Sequence, residues 1–179
     1  PERGKRPDLH QEFQRSETIA SILHLLTRTA LEQGAGGPGT WWPVFGSGLH
    51  LLTVLVLEHQ LLAQEFVKHE GMQLVKRRKL LSMELVLSEE GAVVVTDVLV
   101  ILSQLARLSA DYYPLLSAMD MCPALRDLLA CGHPGVRAKA CSAVGNLVRH
   151  SDLFYHAMKQ AGVIKQLVQL CSDGDEACR

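Results

Sequence analysis

The chain repeats itself at an interval of 42 residues. Leu105, Arg107, Ser109 and Tyr113 return as Leu147, Arg149, Ser151 and Tyr155. Tyr112 returns conservatively as Phe154, and Leu125 and Leu128 return as Leu167 and Leu170. A period of this length, punctuated only by helix breakers, is the signature of armadillo and HEAT solenoids. One such unit cannot cover its own apolar faces, so each must stack on the next. The sequence therefore predicts an all-α fold, an armadillo/HEAT-like right-handed helical solenoid. Stacks of this kind are usually binding surfaces rather than enzymes.

Reading along the chain fills in the repeats. Residues 1–7 are basic and polar, a tail or boundary, and residues 8–179 carry the repeat pattern. Leu9, Phe13, Ile19, Leu23, Leu26 and Ala30 recur at helical spacing. Residues 33–46, QGAGGPGTWWPVFG, read as one long loop because glycine and proline break regular structure. Helical pattern resumes over 47–69, with a break near His59, and a short helix is expected over 72–81. The clearest repeats span about 92–132 and 133–171, and residues 172–179 match the start of a truncated next one. The β-branched run Val93–Val95 suits a strand, but its register with Val136 decides for helix. Ser109 and Ser151 stand where caps are wanted, and Pro134 suits a first helical position.

In the last full repeat, Val136, Ala140, Val144 and Leu147 form the face expected to be buried. Ala138, Ala143 and Gly145 flank it and should allow close approach of a neighbouring helix. A second stripe, Lys139, Ser142, Asn146 and Arg149, has the spacing of one helix face. Its counterparts one repeat earlier are Asp97, Val100, Gln104 and Arg107. Stacking would set Gln104 beside Asn146 and Arg107 beside Arg149, giving an amide ladder that can pair with the backbone of an extended peptide. Asn146, Arg149, Gln104, Arg107 and Lys139 are accordingly the candidate partner-binding residues. The competing reading is an ordinary solvated helix face.

Composition bounds the alternatives. The chain is 47% hydrophobic and 21% charged, enough for a sizeable core. A net charge of −1 supplies no global field for nucleic acid or an anionic membrane. No segment is expected to span a bilayer, the best candidate, Gly48–Leu57, being too short. Five cysteines without CxxC spacing read as reduced thiols of an intracellular protein.

No motif of catalysis stands in its required context. Gly34–Gly39 fits G-x-G-x-x-G in letters, but no strand precedes it and no helix start follows, so phosphate binding is not expected. Leu125-Arg126-Asp127-Leu128 echoes a kinase catalytic loop without its histidine or its following asparagine. His69-Glu70 lacks a second histidine, and Cys131, His133 and Cys141 lack paired zinc spacing, so no metal site is expected. No catalytic residues are assigned. Lys76-Arg77-Arg78-Lys79, the densest basic run, is either a solvated helix face or a patch for acidic partners or nuclear import.

Lys139–Tyr155, KACSAVGNLVRHSDLFY, with its lead-in from Gly132, resembles the C-terminal repeat region of Fused-family serine/threonine kinases. The likeness covers residues 133–171 and extends over 92–131. It implies that the chain is a non-catalytic piece of a protein whose kinase domain lies elsewhere, so that ATP and magnesium belong only to that absent domain. It further implies protein partners, namely Suppressor of Fused, Gli transcription factors and a kinesin, with roles in Hedgehog signalling and motile cilium assembly. The location implied is cytoplasmic, with cilium-associated and nuclear pools. The runner-up is a cargo-binding armadillo adaptor unrelated to a kinase. Import receptors hold cargo with a W-x-x-x-N ladder; here Asn146 occupies the asparagine site but Ser142 replaces the tryptophan, and Val100 and Gln104 stand in the earlier repeat.

Overall fold

A computed structural model describes Glu12, residues 17–31 and residues 42–172. The polar tail 1–7, Trp41 and the truncated repeat after Ser172 lie outside the described residues. The described residues form helices joined by turns, with no strand among them, so their fold is all-α. The chain divides into two compact units, Pro1–Leu74 and Val75–Arg179.

In the first unit, α1 (Thr18–Leu31), α2 (Trp42–Glu58) and α3 (Gln60–Lys68) pack on one another. Ile19, Leu23 and Leu26 line one stripe of α1 and are buried. α2 contributes Phe45, Leu49, Leu52 and Val56, and α3 contributes Leu62, Ala63 and Phe66. The break near His59 is real. His59 adopts extended backbone and its Nδ1 accepts from the Leu61 amide at 3.2 Å, capping α3.

The expected loop over 33–46 is corrected at its end, because α2 begins at Trp42. Pro43 sits in the first turn, where its missing N–H costs nothing. The Trp42 and Phe45 rings stack with centroids 5.7 Å apart. Gly48 eases the contact with α1, since a Cβ there would lie 2.8 Å from Leu26 Cδ2 and the leucine tip would have to shift.

The second unit begins within α4 (Gly71–Arg77), shorter than the expected 72–81. A 3₁₀ turn at Leu85–Leu87 leads into α5 (Glu89–Leu108). Val93–Val95 are helical, as the repeat register required. Ser88 Oγ accepts from the Gly91 amide at 3.1 Å, Glu89 and Glu90 occupy the first turn, and Arg107 the last, so both ends of α5 suit the helix dipole. α5 is long and apolar enough to cross a membrane, a candidate the sequence reading passed over. Most of it is buried against protein, and it holds buried Asp97 and Gln104, so it packs as the core helix of this unit.

A 3₁₀ turn (Ala110–Tyr112), α6 (Tyr113–Ser117), α7 (Cys122–Leu129) and α8 (Pro134–Leu147) follow, then α9 (Tyr155–Ala161) and α10 (Val163–Leu170). α8 lies along α5 and also packs on α7, which in turn meets α9 and α10. Val136, Ala140, Ala143, Val144 and Leu147 are buried, so the apolar face of α8 is the one read from sequence. Gly145 corrects that reading in part. It is exposed, and a Cβ there would meet nothing, so it does not help helices approach.

The 42-residue recurrence is also present in the backbone. α6 begins at Tyr113 and α9 at Tyr155, 42 residues later. Ser109 Oγ accepts from the Asp111 amide and Ser151 Oγ from the Leu153 amide, both at 3.1 Å. Left-handed residues close the short helices at Lys79, Asp120 and Gly162, with φ of 50°, 50° and 83°.

Candidate functional site

The two polar stripes have different fates, because α8 lies along α5. On α5, Asp97 and Gln104 are buried, 6% and 5% exposed, so that stripe is not a solvent surface. Arg107 is exposed and forks onto the Gln104 side-chain oxygen Oε1 through Nε at 3.1 Å and Nη2 at 2.7 Å. The open Gln104–Asn146 ladder expected from stacking is therefore corrected. Gln104 spends its acceptor on Arg107, three residues along the same helix.

On α8, Asn146 is half-buried and its Nδ2 donates to Ser103 Oγ at 2.5 Å, one residue short of the expected partner. The main-chain carbonyl of Asn146 accepts from the Tyr113 hydroxyl at 3.0 Å, and the same hydroxyl accepts from the His150 amide at 3.2 Å. Tyr113 packs edge-on against Phe154. Ser142 Oγ bonds back to the Ala138 carbonyl at 3.1 Å. Lys139 and Arg149 are exposed. Of the five candidates, Lys139, Arg149 and Arg107 present charge to solvent, whereas Gln104 and Asn146 hold the structure together. The role of Ser103 was missed in the sequence, although it lies 43 residues before Asn146, within one residue of the repeat period.

Several chemistry-bearing groups singled out in the sequence are engaged within the fold. Leu125–Leu128 lies in α7, with Arg126 forked on its neighbour Asp127 at 2.8 and 2.6 Å. Burial, and then Asp120, pushes the Cys122 thiol above its ordinary pKa, so it stays protonated. Cys131 is buried and its Sγ donates to the His133 carbonyl. His133 itself caps α8, its Nδ1 accepting from the Val136 amide at 3.3 Å. No group of three or more His, Cys, Asp or Glu side chains able to hold a metal occurs among the described residues.

The described residues thus define an all-helical protein with a recurring backbone unit, with Lys139 exposed on α8 and Arg149 exposed just after it. No family model matches the chain. It is similar to the serine/threonine-protein kinase TIO of Arabidopsis thaliana, with 38% identity over 58 residues. That stretch is 32% of this chain and 4% of the plant protein, so the chain spans a small part of the relative it matches.

Proposed function

We propose that this chain is a non-catalytic protein-interaction module, an armadillo/HEAT-like right-handed solenoid, belonging to a Fused-like serine/threonine kinase. One observation carries the reading: helix starts, serine caps and left-handed helix ends recur together at 41–42 residues in the second unit. Recurrence of backbone devices at one period is what repeat architectures require. The partial likeness to a plant serine/threonine kinase supports the kinase link. The partners on this reading are Suppressor of Fused, Gli transcription factors and a kinesin, and the roles are Hedgehog signalling and motile cilium assembly. Nothing in the module performs catalysis, and it takes no cofactor of its own. Lys139 on α8 and Arg149 just beyond its end, with Arg107 on α5, form its partner-facing edge.

Affinity capture with the intact chain tests this. Recovery of those partners, reduced by Lys139→Ala with Arg149→Ala, supports the reading. Recovery unaffected by that pair moves binding to another surface, and phosphotransfer by the isolated chain would overturn the non-catalytic assignment.

A further inference from the structure

We propose that the cleft between residues 75–82 and 119–124, within the second unit, receives a short acidic segment of a partner protein, one large apolar side chain filling the cleft while neighbouring carboxylates meet Lys76 and Lys79. This rests on the interaction-module reading above and names the partner's chemistry.

The cleft has a volume of about 220 Å³. That is below the range of roughly 300–1,000 Å³ usual for small-molecule and cofactor sites, and suits a single side chain. Val75, Leu81 and Met121 form its buried apolar wall, and Ala124 leaves room beside them. Lys76, Lys79 and Asp120 are exposed and line its rim. Lys76 Nζ donates to the Ala118 carbonyl at 2.7 Å, which ties the two sides of the cleft together and leaves two further ammonium protons.

The backbone supplies an independent sign. Lys79 ends α4 in a Schellman arrangement, with the Leu80 amide on the Val75 carbonyl and the Lys79 amide on the Lys76 carbonyl, both at 3.1 Å. Its φ is 50°, in the left-handed region where glycine costs least. At the equivalent position two repeats on, the residue is Gly162. At Lys79 and Asp120 the fold instead keeps charged side chains, and both line this one cleft. Glu17 and Glu70 in the first unit share this backbone, but both left-handed non-glycine residues described in the second unit line this cleft, and strained backbone of this kind is kept where a side chain is used.

Charge then selects the occupant. Of the run Lys76-Arg77-Arg78-Lys79, the two lysines line the cleft, against one carboxylate, Asp120, in a chain of net charge −1. Asp120 on the opposite rim repels carboxylates and directs them toward the lysines. An apolar anchor flanked by acidic residues satisfies wall and rim together.

The test measures fluorescence anisotropy of labelled peptides with the full chain. One set carries a central Leu, Met or Phe flanked by Asp and Glu. A second replaces the apolar residue with Ala, and a third replaces the acids with Lys. The first set should bind roughly tenfold tighter than either control, the scale of one anchor or one charged contact. Ala124→Phe should block the cleft, and Lys79→Gly should weaken binding roughly threefold to tenfold while leaving the apolar wall of Val75, Leu81 and Met121 in place. Thermal melting by circular dichroism checks that both variants fold. First-set peptides that bind no better than the controls, or are indifferent to both variants, overturn the proposal. Capture of an import receptor on the basic run, unaffected by Ala124→Phe and without first-set binding, also overturns it. Those outcomes leave the module reading intact, because that reading stands or falls on partner capture and the α8 edge.

Discussion

The hydroxyl of Tyr113 donates to the main-chain carbonyl of Asn146, 33 residues later, at 3.0 Å. It also accepts from the amide of His150 at 3.2 Å. One phenol thereby adds a second donor to a carbonyl in the last turn of α8, which also accepts from the Arg149 amide at 3.2 Å, and supplies an acceptor to an amide beyond the helix end. Tyr113→Phe should cost about 1 kcal/mol, since the His150 amide loses its acceptor while the Asn146 carbonyl keeps the Arg149 amide. The equivalent tyrosine, Tyr155, is 54% exposed against 2% for Tyr113. Tyr155→Phe should stay within about 0.5 kcal/mol of the parent. Denaturant melts of the two variants make the comparison, and equal effects would remove the clamp from the account.

Gly91 is a second such constraint. A Cβ there would stand 2.0 Å from the Leu85 carbonyl oxygen and 2.9 Å from Ser88 Oγ. The main chain of the 3₁₀ turn occupies that space, so no side chain can rotate away to relieve the clash. Gly91→Ala should destabilise by at least about 1–3 kcal/mol, the usual scale of overpacking, and a melting temperature at or above the parent's would contradict the close approach.

The helical elements were legible because their signals are local. Ser109, Ser151 and Pro134 carry capping chemistry, and the buried stripe of α8 follows from helical spacing. Val93–Val95 oppose helix by propensity, yet the register with Val136 outweighed it, and burial of Val94 and Val95 shows why: packing on the core offsets the small cost of β-branching. Gln104 was misread because its burial depends on α8 lying along α5, which no local signal states. Residues 42–46 were misread because Pro43 and Gly46 counted as loop formers, whereas a proline is tolerated in the first turn of a helix. The cleft beside Lys79 was invisible because left-handed backbone at Lys79 and Asp120 has no signature in residue type.

That backbone makes its own prediction. A side chain in the left-handed region costs roughly 1 kcal/mol relative to glycine. Lys79→Gly, at φ 50°, should therefore raise stability by up to about 1 kcal/mol, less the entropy glycine adds to the unfolded chain. A marked loss in urea unfolding would mean that the lysine contributes contacts of its own beyond the cleft rim.

Ala140→Asp tests the α5–α8 packing. Ala140 has no exposed surface and lies on the Val136–Val144–Leu147 face. An unpartnered carboxylate there should cost about 3–5 kcal/mol and unfold much of the second unit at physiological temperature. An unchanged melt would show that α8 does not press this face onto its neighbours.

The sharpest prediction concerns the exposed edge of α8, where the structure separates residues that the sequence grouped. Asn146 gives its amide to Ser103, so Asn146→Ala should lower stability by about 1 kcal/mol whatever it does to binding. Lys139 and Arg149 are exposed, and removing exposed charge should leave stability within about 0.5 kcal/mol. If an acidic or phosphorylated partner lies along this edge, Lys139→Ala with Arg149→Ala should weaken it by roughly 1–3 kcal/mol, the arginine accounting for more because its planar fork can hold two oxygens at once. The loss should shrink as salt is raised, since exposed charges are screened within about 10 Å at 0.1 M. Arg149→Lys should recover only part of the affinity. Calorimetric titration of the captured partner against each variant, at low and high salt, reads all of this. A double variant that binds like the parent at low salt would clear this edge of any role.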